Sequence, residues 1–316
     1  MHTPLRIGTR GSQLALWQAR TVATRLEAHG VAVELVIIKT SGDRLQTAPM
    51  SDVGNKRLFV KEIEDALLED GVDIAVHSAK DMPSDLPEGL TIAATLPRDD
   101  PRDAFVLPQH VASPAGDVPA ALARIGRQPI IGTSSVRRIA QLRPVFPQAV
   151  FAPIRGNVDT RLRKLEAGEY DALVLAAAGL RRLGFGARIA SMISPSQCVP
   201  APGQGIVAVE IRADDAATRQ ALAPVHDAPA AAALEAERAV VAALGGGCQL
   251  PLGALAVLSG TAMELTAVVC TPGGDRVLRH TASGRAAEAA QLGELVAREL
   301  ARQGAGEILD EVRRGQ

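Results

Sequence analysis

The hydrophobic pattern of the first two thirds of the chain switches repeatedly between short apolar runs and runs with helical spacing. Leu5 to Thr9 has the length of a strand, and apolar residues then recur from Leu14 to Leu26 close to one helical turn apart, until Gly30 ends the predicted helix. The same signals return later, with strands predicted at 33–38, 73–77, 129–132, 150–154 and 171–177, and helices at 58–68, from 134 or 135, and around 158–165. Strands that alternate with helices indicate an α/β fold with mostly parallel sheets.

Two changes in this pattern divide the chain. The Pro- and Asp-rich stretch 97–101 predicts a linker between two α/β units, and the apolar run 206–211 is a further strand that could return to either sheet. From Ala228 the pattern becomes an alanine-rich helix to Leu244, a strand at 252–258, a turn at 272–275 and two closing helices. This last part predicts a small α/β domain with an antiparallel sheet.

The composition argues against several classes of function. A formal net charge of -1 over 316 residues gives no long-range attraction for nucleic acid or an anionic membrane. There is no signal-peptide core and no apolar run of about 18 residues, so we expect a cytoplasmic protein. Cys198, Cys248 and Cys270 are widely spaced and the histidines lack ligand spacing, which predicts neither a disulfide framework nor a metal site.

Positive charge is nevertheless concentrated in one segment. Between Arg124 and Arg188 there are eleven Arg and one Lys against four acidic residues. These cations could form a solvated charged face, and for any single arginine that interpretation is as well supported as a functional one. Because a guanidinium group can hold a carboxylate or phosphate at two points, this segment is where we expect an anionic ligand.

Polar residues after two predicted strands of the first unit are candidates for a binding site. Arg10 and Ser12 lie between a strand and its helix, where backbone amides favour an anion, although Ser12 could simply cap the helix. Lys80 and Asp81 follow the strand at 73–77 and could form a surface ion pair. Alternatively, Asp81 is a carboxylate kept ionised by nearby cations, which could stabilise positive charge or transfer a proton.

Hydroxyl and guanidinium side chains also gather where the strands of the second unit end. They are Thr133, Ser134, Ser135, Arg137 and Arg138 at one helix start, Arg155 and Arg161 around the next, and Arg181 and Arg182 after the third strand. The first group is a stronger anion-site signal than a lone cap. Arginines at several junctions along one sheet edge indicate a ligand with several negative groups.

Cys248 follows three glycines at 245–247, whose permissive backbone lets a ligand or another strand approach closely. A single thiol is most often buried in a core. Cys248 could also be an acyl-transfer or redox nucleophile, although no His or second Cys lies nearby in sequence to support that role. The glycine run favours an exposed sulfur that can be modified.

Together these segments resemble the hydroxymethylbilane synthase family. The matching stretches run in the family's order along nearly the whole chain: IGTRGS at 7–12 with LWQA at 16–19, LFVKE at 58–62, VHSAKD at 76–81, DPRDAF at 100–105, GTSSVRR at 132–138, RGNV at 155–158 with TR at 160–161, AGL at 178–180, GQG at 203–205 and GGCQ at 246–249. Each stretch is weak alone, but this many in order make a chance resemblance very improbable.

The resemblance implies an α/β fold of two lobes similar to type II periplasmic binding proteins, followed by a small C-terminal α/β domain with an antiparallel sheet. Domain 1 would comprise 1–99 and 201–221, domain 2 would comprise 102–199, and domain 3 would comprise 225–316. The implied activity is that of a transferase of porphyrin biosynthesis, which deaminates porphobilinogen and joins four molecules head to tail, releasing ammonia. The implied enzyme is a cytoplasmic monomer with no nucleic-acid or membrane partner.

The resemblance also assigns roles to individual residues. It implies a dipyrromethane cofactor bound as a thioether to Cys248, and a catalytic Asp81 that stabilises positively charged pyrrole nitrogens. Positions that match cofactor-binding residues are Lys80, Asp81, Thr133, Ser134, Ser135, Arg137, Arg138, Arg161 and Gln204. Positions that match substrate-binding residues are Arg10, Ser12, Arg155, Arg161 and Arg182.

One position departs from the family pattern, and one alternative function stays open. Arg57 stands where the family usually has glycine, in a predicted loop at 40–57 whose length is typical of a lid. A non-catalytic, two-lobed anion-binding protein would use the same fold and the same arginines. Asp81 and Cys248 distinguish the two functions, because a protein that only binds an anion needs neither.

Overall fold

The structure is a computed structural model that describes residues 3–40, 60–111, 126, 128–245 and 250–314. In chain order the strands are β1 (Leu5–Thr9), β2 (Val33–Ile37), β3 (Ile74–Ser78), β4 (Leu90–Thr95), β5 (Asp103–Val106), β6 (Ile130–Gly132), β7 (Val150–Ala152), β8 (Ala172–Ala176), β9 (Ile189–Met192), β10 (Val207–Arg212), β11 (Leu252–Ser259), β12 (Ala262–Cys270) and β13 (Val277–Arg285). The helices are α1 (Gln13–Glu27), α2 (Lys61–Leu68), α3 (Val136–Leu142), α4 (Val158–Glu166), α5 (Ala177–Arg182), α6 (Ala216–Leu222), α7 (Ala228–Ala243), α8 (Ala289–Arg302) and α9 (Ala305–Arg314).

These elements belong to two compact units. The first unit comprises Met1–Asp99 and Ile206–Ala232, and the second comprises Asp100–Gly205 and Ala233–Gln316. The first unit is therefore built from two separate stretches of chain. The domain boundaries implied by the family resemblance, which separate 102–199 from 225–316, stay a prediction.

The first unit contains a five-stranded sheet in the order β2-β1-β3-β10-β4. Strand β1 pairs in parallel with β2 and β3, whereas β10 runs antiparallel to both β3 and β4. Helix α1 packs on one face through Val22 and Leu26, and α2 packs on the other through Ile63 and Leu67. Because both faces are covered, successive residues of a central strand such as β3 are buried rather than alternately buried and exposed.

The second unit contains a five-stranded sheet with the same arrangement, in the order β7-β6-β8-β5-β9. Strand β6 pairs in parallel with β7 and β8, and β5 is antiparallel to β8 and β9. One face packs around Phe105, Ile131 and Leu142, and the other around Leu162 and Leu175. The carboxyl ends of β6, β7 and β8 therefore share one edge with the amino end of β5.

The second unit also contains a three-stranded antiparallel sheet in the order β11-β12-β13. Helix α8 packs on β12 and β13. It also approaches α7 so closely that a Cβ atom added at Gly293 would lie 2.4 Å from the carbonyl oxygen of Ala236. Glycine at this position is therefore required by helix packing.

The predicted α/β fold with a small antiparallel sheet near the C-terminus is confirmed. The prediction of mostly parallel sheets is wrong, because each five-stranded sheet has two parallel and two antiparallel pairings. The predicted elements lie within a few residues of the observed ones, and the run at 206–211 becomes β10, which returns to the sheet of the first unit. The sequence analysis did not single out β4, β5 or β9 as strands. The predicted lid at 40–57 lies outside the described residues, except at Thr40.

Candidate functional site

The edge of the first sheet carries two of the predicted polar segments. Strands β1 and β3 are parallel neighbours, with Gly8 opposite Ala75, so the residues that follow them leave the sheet at the same edge. Ser12 caps α1, its Oγ accepting a hydrogen bond from the backbone N–H of Ala15 at 3.3 Å. Arg10 is partly buried beside this cap. The capping interpretation of Ser12 is confirmed, whereas binding of a substrate by Arg10 and Ser12 stays a prediction.

Asp81 ends a short 3₁₀ helix, Ala79–Asp81, that continues directly from β3. This turn is anchored to the sheet because the backbone N–H of Ala79 donates to the carbonyl of Ile206 at 3.0 Å. Lys80 and Asp81 are both half-buried. The structure therefore places Asp81 on a short turn whose backbone is fixed at the strand end, and the catalytic role of Asp81 and the cofactor-binding role of Lys80 stay predictions.

A buried polar pair that the sequence analysis did not identify lies in the strands beneath this turn. The side chain of His77 in β3 is 4 % exposed and that of Glu210 in β10 is fully buried, with Nε2 of His77 3.0 Å from Oε2 of Glu210. The two residues share one face of the sheet, because Ala208 pairs with His77 and Glu210 lies two positions further on. Only knowledge of the antiparallel β3–β10 pairing could have brought these residues together.

In the second unit the three hydroxyl residues before α3 all make local hydrogen bonds. Ser134 Oγ donates to the carbonyl of Ile154 at 2.7 Å and accepts from its N–H at 2.9 Å, which ties the end of β6 to the residues after β7. Ser135 is the N-cap of α3. Oγ1 of Thr133, which is buried, accepts from the N–H of Ser135 at 3.3 Å. These hydroxyls shape the sheet edge, and their binding of a cofactor stays a prediction.

Arg137 and Arg138 are buried and converge on one carboxylate, that of Asp103 at the start of β5. Burial by itself would raise the pKa of Asp103, but attraction by the two guanidinium groups and hydrogen bonds from Arg138 and Gln204 outweigh it and hold this pKa well below the ordinary value. Burial would likewise lower the pKa of Arg137, and the Asp103 carboxylate reverses that effect. The anion that these two arginines bind in the structure is a side chain of the protein itself, and their binding of an anionic ligand stays a prediction.

The remaining predicted arginines of this unit lie nearer to solvent. Arg161 donates from Nε to the carbonyl of Gly156 at 2.8 Å, and Arg182 donates from Nη2 to the carbonyl of Gly205. Arg155 follows β7 and is half-buried. Arg181 is 44 % exposed and lies 3.4 Å from Asp100. Arg181 and Arg182 thus lie in the last turn of α5 rather than directly at the end of β8. Contacts of these arginines with a substrate stay a prediction.

Gln204 is buried beside the Asp103 cluster, and its loop is tied to the C-terminal elements by Glu237. Nε2 of Gln204 donates to the carbonyl of Pro101 at 2.6 Å and to Oδ1 of Asp103 at 2.9 Å. The fully buried carboxylate of Glu237, in α7, accepts from the N–H groups of Gly203 at 2.6 Å and Ala256 at 2.8 Å. Helix α7 thus fixes the Gln204 loop.

The predicted site residues belong to two groups. Arg10, Ser12, Lys80 and Asp81 belong to the first unit, whereas Thr133, Ser134, Ser135, Arg137, Arg138, Arg155, Arg161, Arg182 and Gln204 belong to the second. Cys248 and Arg57 lie outside the described residues. Of the residues that sequence reasoning missed, Asp103 had the clearest signal, because it is an acidic residue directly before an apolar run within the DPRDAF stretch.

No group of three or more His, Cys, Asp or Glu side chains among the described residues is placed to hold a metal ion. No helix in the same part of the chain combines the length and the apolar character needed to cross a membrane.

Fold and site together define an α/β protein whose two five-stranded sheets carry cations and hydroxyls at their strand ends. The family model for the porphobilinogen deaminase dipyrromethane cofactor binding domain matches residues 5–220, and the model for the porphobilinogen deaminase C-terminal domain matches residues 231–302. The chain therefore belongs to the porphobilinogen deaminase family.

Curated relatives agree with this assignment over almost their whole length. A porphobilinogen deaminase of Syntrophobacter fumaroxidans is 45% identical over 312 residues, which cover 98% of this chain and 98% of the relative. One of Chromobacterium violaceum is 46% identical over 308 residues, or 96% of each chain. Among solved structures, a periplasmic substrate-binding protein of an ABC transporter from Coxiella burnetii is 12% identical, with a TM-score of 0.43, covering 74% of this chain and 96% of that one.

Proposed function

We propose that this member of the porphobilinogen deaminase family is a hydroxymethylbilane synthase. It is a transferase that deaminates four porphobilinogen molecules and joins them head to tail on a covalently held dipyrromethane primer, releasing linear hydroxymethylbilane and ammonia. The observation that carries this proposal is the match to the dipyrromethane cofactor binding domain over residues 5–220, a range that includes every described cation-rich strand end.

The charge of the described site fits such a cofactor. Each pyrrole of the primer and of the substrate brings two carboxylates, so the growing product is a polyanion. Two guanidinium groups, those of Arg137 and Arg138, are buried against the single carboxylate of Asp103. A buried excess of positive charge is costly unless an anion balances it, and a cofactor carboxylate would supply that anion.

The residues proposed to hold the cofactor are those whose positions match cofactor-binding residues of the family. They are Lys80, Asp81, Thr133, Ser134, Ser135, Arg137, Arg138, Arg161 and Gln204. The substrate carboxylates are assigned to Arg10, Ser12, Arg155, Arg161 and Arg182. Charge-assisted hydrogen bonds of about 1.5–3 kcal/mol each would give these contacts enough strength to retain a polyanion.

Asp81 is proposed as the catalytic residue. Its carboxylate lies on a turn fixed to β3 and β10, so it can stay in one place while positive charge develops nearby. It would stabilise a positively charged pyrrole nitrogen and accept a proton when the ring returns to neutrality. When bound, the dipyrromethane group supplies the electron-rich pyrrole to which the first substrate is joined.

Cys248 is proposed as the point of attachment. A thioether at this sulfur would anchor the primer through repeated turnovers while its far end stays available for reaction. We further propose that the protein acts as a monomer in the cytoplasm, with porphobilinogen as its small-molecule substrate.

Intact-mass spectrometry of the purified protein, combined with an assay of ammonia release from porphobilinogen, tests the proposal. The protein should carry the added mass of two pyrroles and release ammonia as tetrapyrrole accumulates. Cys248→Ala should abolish both, whereas Cys270→Ala, which changes a buried cysteine in β12, should keep both. A protein that binds porphobilinogen without releasing ammonia would instead be a simple binding protein.

A further inference from the structure

Asp103 is the common hydrogen-bond acceptor of a buried cluster in the second unit. It is fully buried at the start of β5 and pairs with Ala176, the last residue of β8, so it lies at the edge where β6, β7 and β8 end. Sequence reasoning and the family resemblance gave this residue no role. Its contacts indicate one.

Both carboxylate oxygens of Asp103 are fully used. Oδ1 accepts from Nε of Arg138 at 3.0 Å, from Nη2 of Arg138 at 2.7 Å and from Nε2 of Gln204 at 2.9 Å. Oδ2 accepts from Nη2 of Arg137 at 2.9 Å and from the Cys198 thiol at 3.5 Å. Three residues proposed to contact the cofactor therefore share one internal anchor.

This convergence is not a property of α3 itself. Arg137 and Arg138 are adjacent in the helix, and adjacent helical side chains point in directions about 100° apart. Only a shared acceptor at the helix start brings their guanidinium groups to one point. Each guanidinium group also donates to a backbone carbonyl. Nη1 of Arg137 donates to the carbonyl of Val199 at 2.6 Å, and Nη1 of Arg138 donates to the carbonyl of Val174 at 3.0 Å. These bonds fix the orientation of both guanidinium planes.

The cluster retains one unbalanced positive charge. Two guanidinium groups face one carboxylate, and the thiol of Cys198 adds no negative charge because burial raises its pKa to about 12. The side chains of Arg137 and Arg138 are only 5% and 8% exposed, so water screens the remaining charge poorly. The cluster is thus suited to accept one further anionic group.

We propose that Asp103 is a positioning residue of the cofactor site: it sets the orientation of Arg137, Arg138 and Gln204 before the cofactor binds, and it leaves one positive charge for a cofactor carboxylate. This inference rests on the proposed function. It goes beyond that function because it gives a role to Asp103, which does not touch the cofactor. That role is to hold the side chains that do touch it in their binding geometry before the cofactor arrives.

The primary test uses Asp103→Asn, with Asp100→Asn as the matched control. Asp100 lies three positions earlier, and its partners are Arg102 and Arg181 instead of the α3 pair. The fraction of each purified protein that carries the two-pyrrole mass is measured with its free energy of unfolding. Asp103→Asn should lose most of the added mass, and Asp100→Asn should retain it. Full loading of a folded Asp103→Asn protein would overturn the proposal.

A second variant separates positioning from charge balance. Asp103→Glu keeps the negative charge of the cluster but moves the carboxylate by one methylene group, and it changes none of the residues proposed to contact the cofactor. If Asp103 positions the arginines, the folded Asp103→Glu protein should still load poorly. Normal loading of Asp103→Glu would show that Asp103 serves only charge balance, and failure of both Asp103 variants to fold would show that it serves only the fold.

The wild-type result distinguishes this inference from the proposed function. A wild-type protein that neither carries the two-pyrrole mass nor releases ammonia would contradict the proposed function itself. Wild-type loading combined with normal loading of folded Asp103→Asn would contradict only the role assigned to Asp103.

Discussion

At the scale of single residues, the arginines of α3 illustrate what a sequence can and cannot reveal. The sequence placed Arg137 and Arg138 at a helix start beside three hydroxyls, and the structure keeps them there. It did not reveal their partner, because Asp103 lies more than thirty residues earlier and meets them only through the antiparallel pairing of β5 with β8. The sequence thus predicted which arginines are candidate anion-binding residues. The carboxylate that accepts their hydrogen bonds could be identified only from the pairing of strands in the folded structure.

Asp81 offers the most direct test at this scale. Asp81→Asn preserves the size of the side chain but removes the charge that would stabilise a positive pyrrole nitrogen. We expect the variant to fold and to keep its two-pyrrole mass, with kcat lower by about 10²- to 10⁴-fold. Steady-state kinetics and intact-mass spectrometry measure the two quantities.

The exposed residue Asp85, on the segment that follows, provides the control for this substitution. Asp85→Asn should have wild-type kinetics. A rate for Asp81→Asn within a few-fold of that of Asp85→Asn would remove Asp81 from the catalytic mechanism.

At the scale of elements, strands with a strong apolar signal were predicted and those with a mixed signal were missed. β8, for example, is buried on both faces and is a continuous apolar run. β4, β5 and β9 are short or contain Thr, Asp or Ser, so their identity as strands depends on the neighbours they pair with. The register and the antiparallel direction of β5 and β10 have no local signature in the sequence.

Replacing glycine by alanine should have opposite effects on the free energy of unfolding in two C-terminal helices. A Cβ atom at Gly293 in α8 would lie 2.4 Å from the carbonyl oxygen of Ala236 and 2.5 Å from Cβ of Ala239, so Gly293→Ala should push α8 away from α7. The expected loss is about 1–3 kcal/mol of unfolding free energy.

At Gly306, the second residue of α9, an added Cβ would meet no atom within 4 Å apart from its chain neighbours and the backbone of its own helix. Gly306→Ala should therefore stabilise the protein by up to about 1 kcal/mol through helix propensity. Denaturant unfolding of both variants measures the difference. If both substitutions raise the free energy of unfolding, or both lower it, the close packing of α7 against α8 is contradicted.

At the scale of the whole molecule, each unit contains half-buried aspartates that form ion pairs with arginines of the same unit. Burial would raise the pKa of Asp73, but hydrogen bonds and charge from Arg6 and attraction by Arg212 outweigh it and lower the pKa. The pKa of Asp100 is lowered in the same way by Arg102 and Arg181. A carboxyl group with a lowered folded-state pKa stabilises the fold above its ordinary pKa, and this contribution is lost as the pH falls through the folded-state value.

The unfolding free energy should therefore fall as the pH drops below about 4, the ordinary pKa of Asp. Asp73→Asn should be less stable than the wild type at neutral pH, and the difference should shrink as the solution becomes more acidic. Denaturant unfolding at a series of pH values measures this difference. Asp214→Asn, at an exposed position, is the control and should match the wild type throughout. A difference for Asp73→Asn that does not change with pH would contradict the ion-pair explanation.

The position of β10 has a consequence for biosynthesis on the ribosome. This strand lies between β3 and β4 but is translated more than a hundred residues after them, whereas the strands of the second five-stranded sheet all lie within 103–192. A nascent chain that has just exposed residue 192 outside the exit tunnel can complete the later sheet while the earlier one still lacks a central strand. The N-terminal part of the polypeptide must then wait with the facing edges of β3 and β4 unpaired, which makes it a natural substrate for co-translational chaperones.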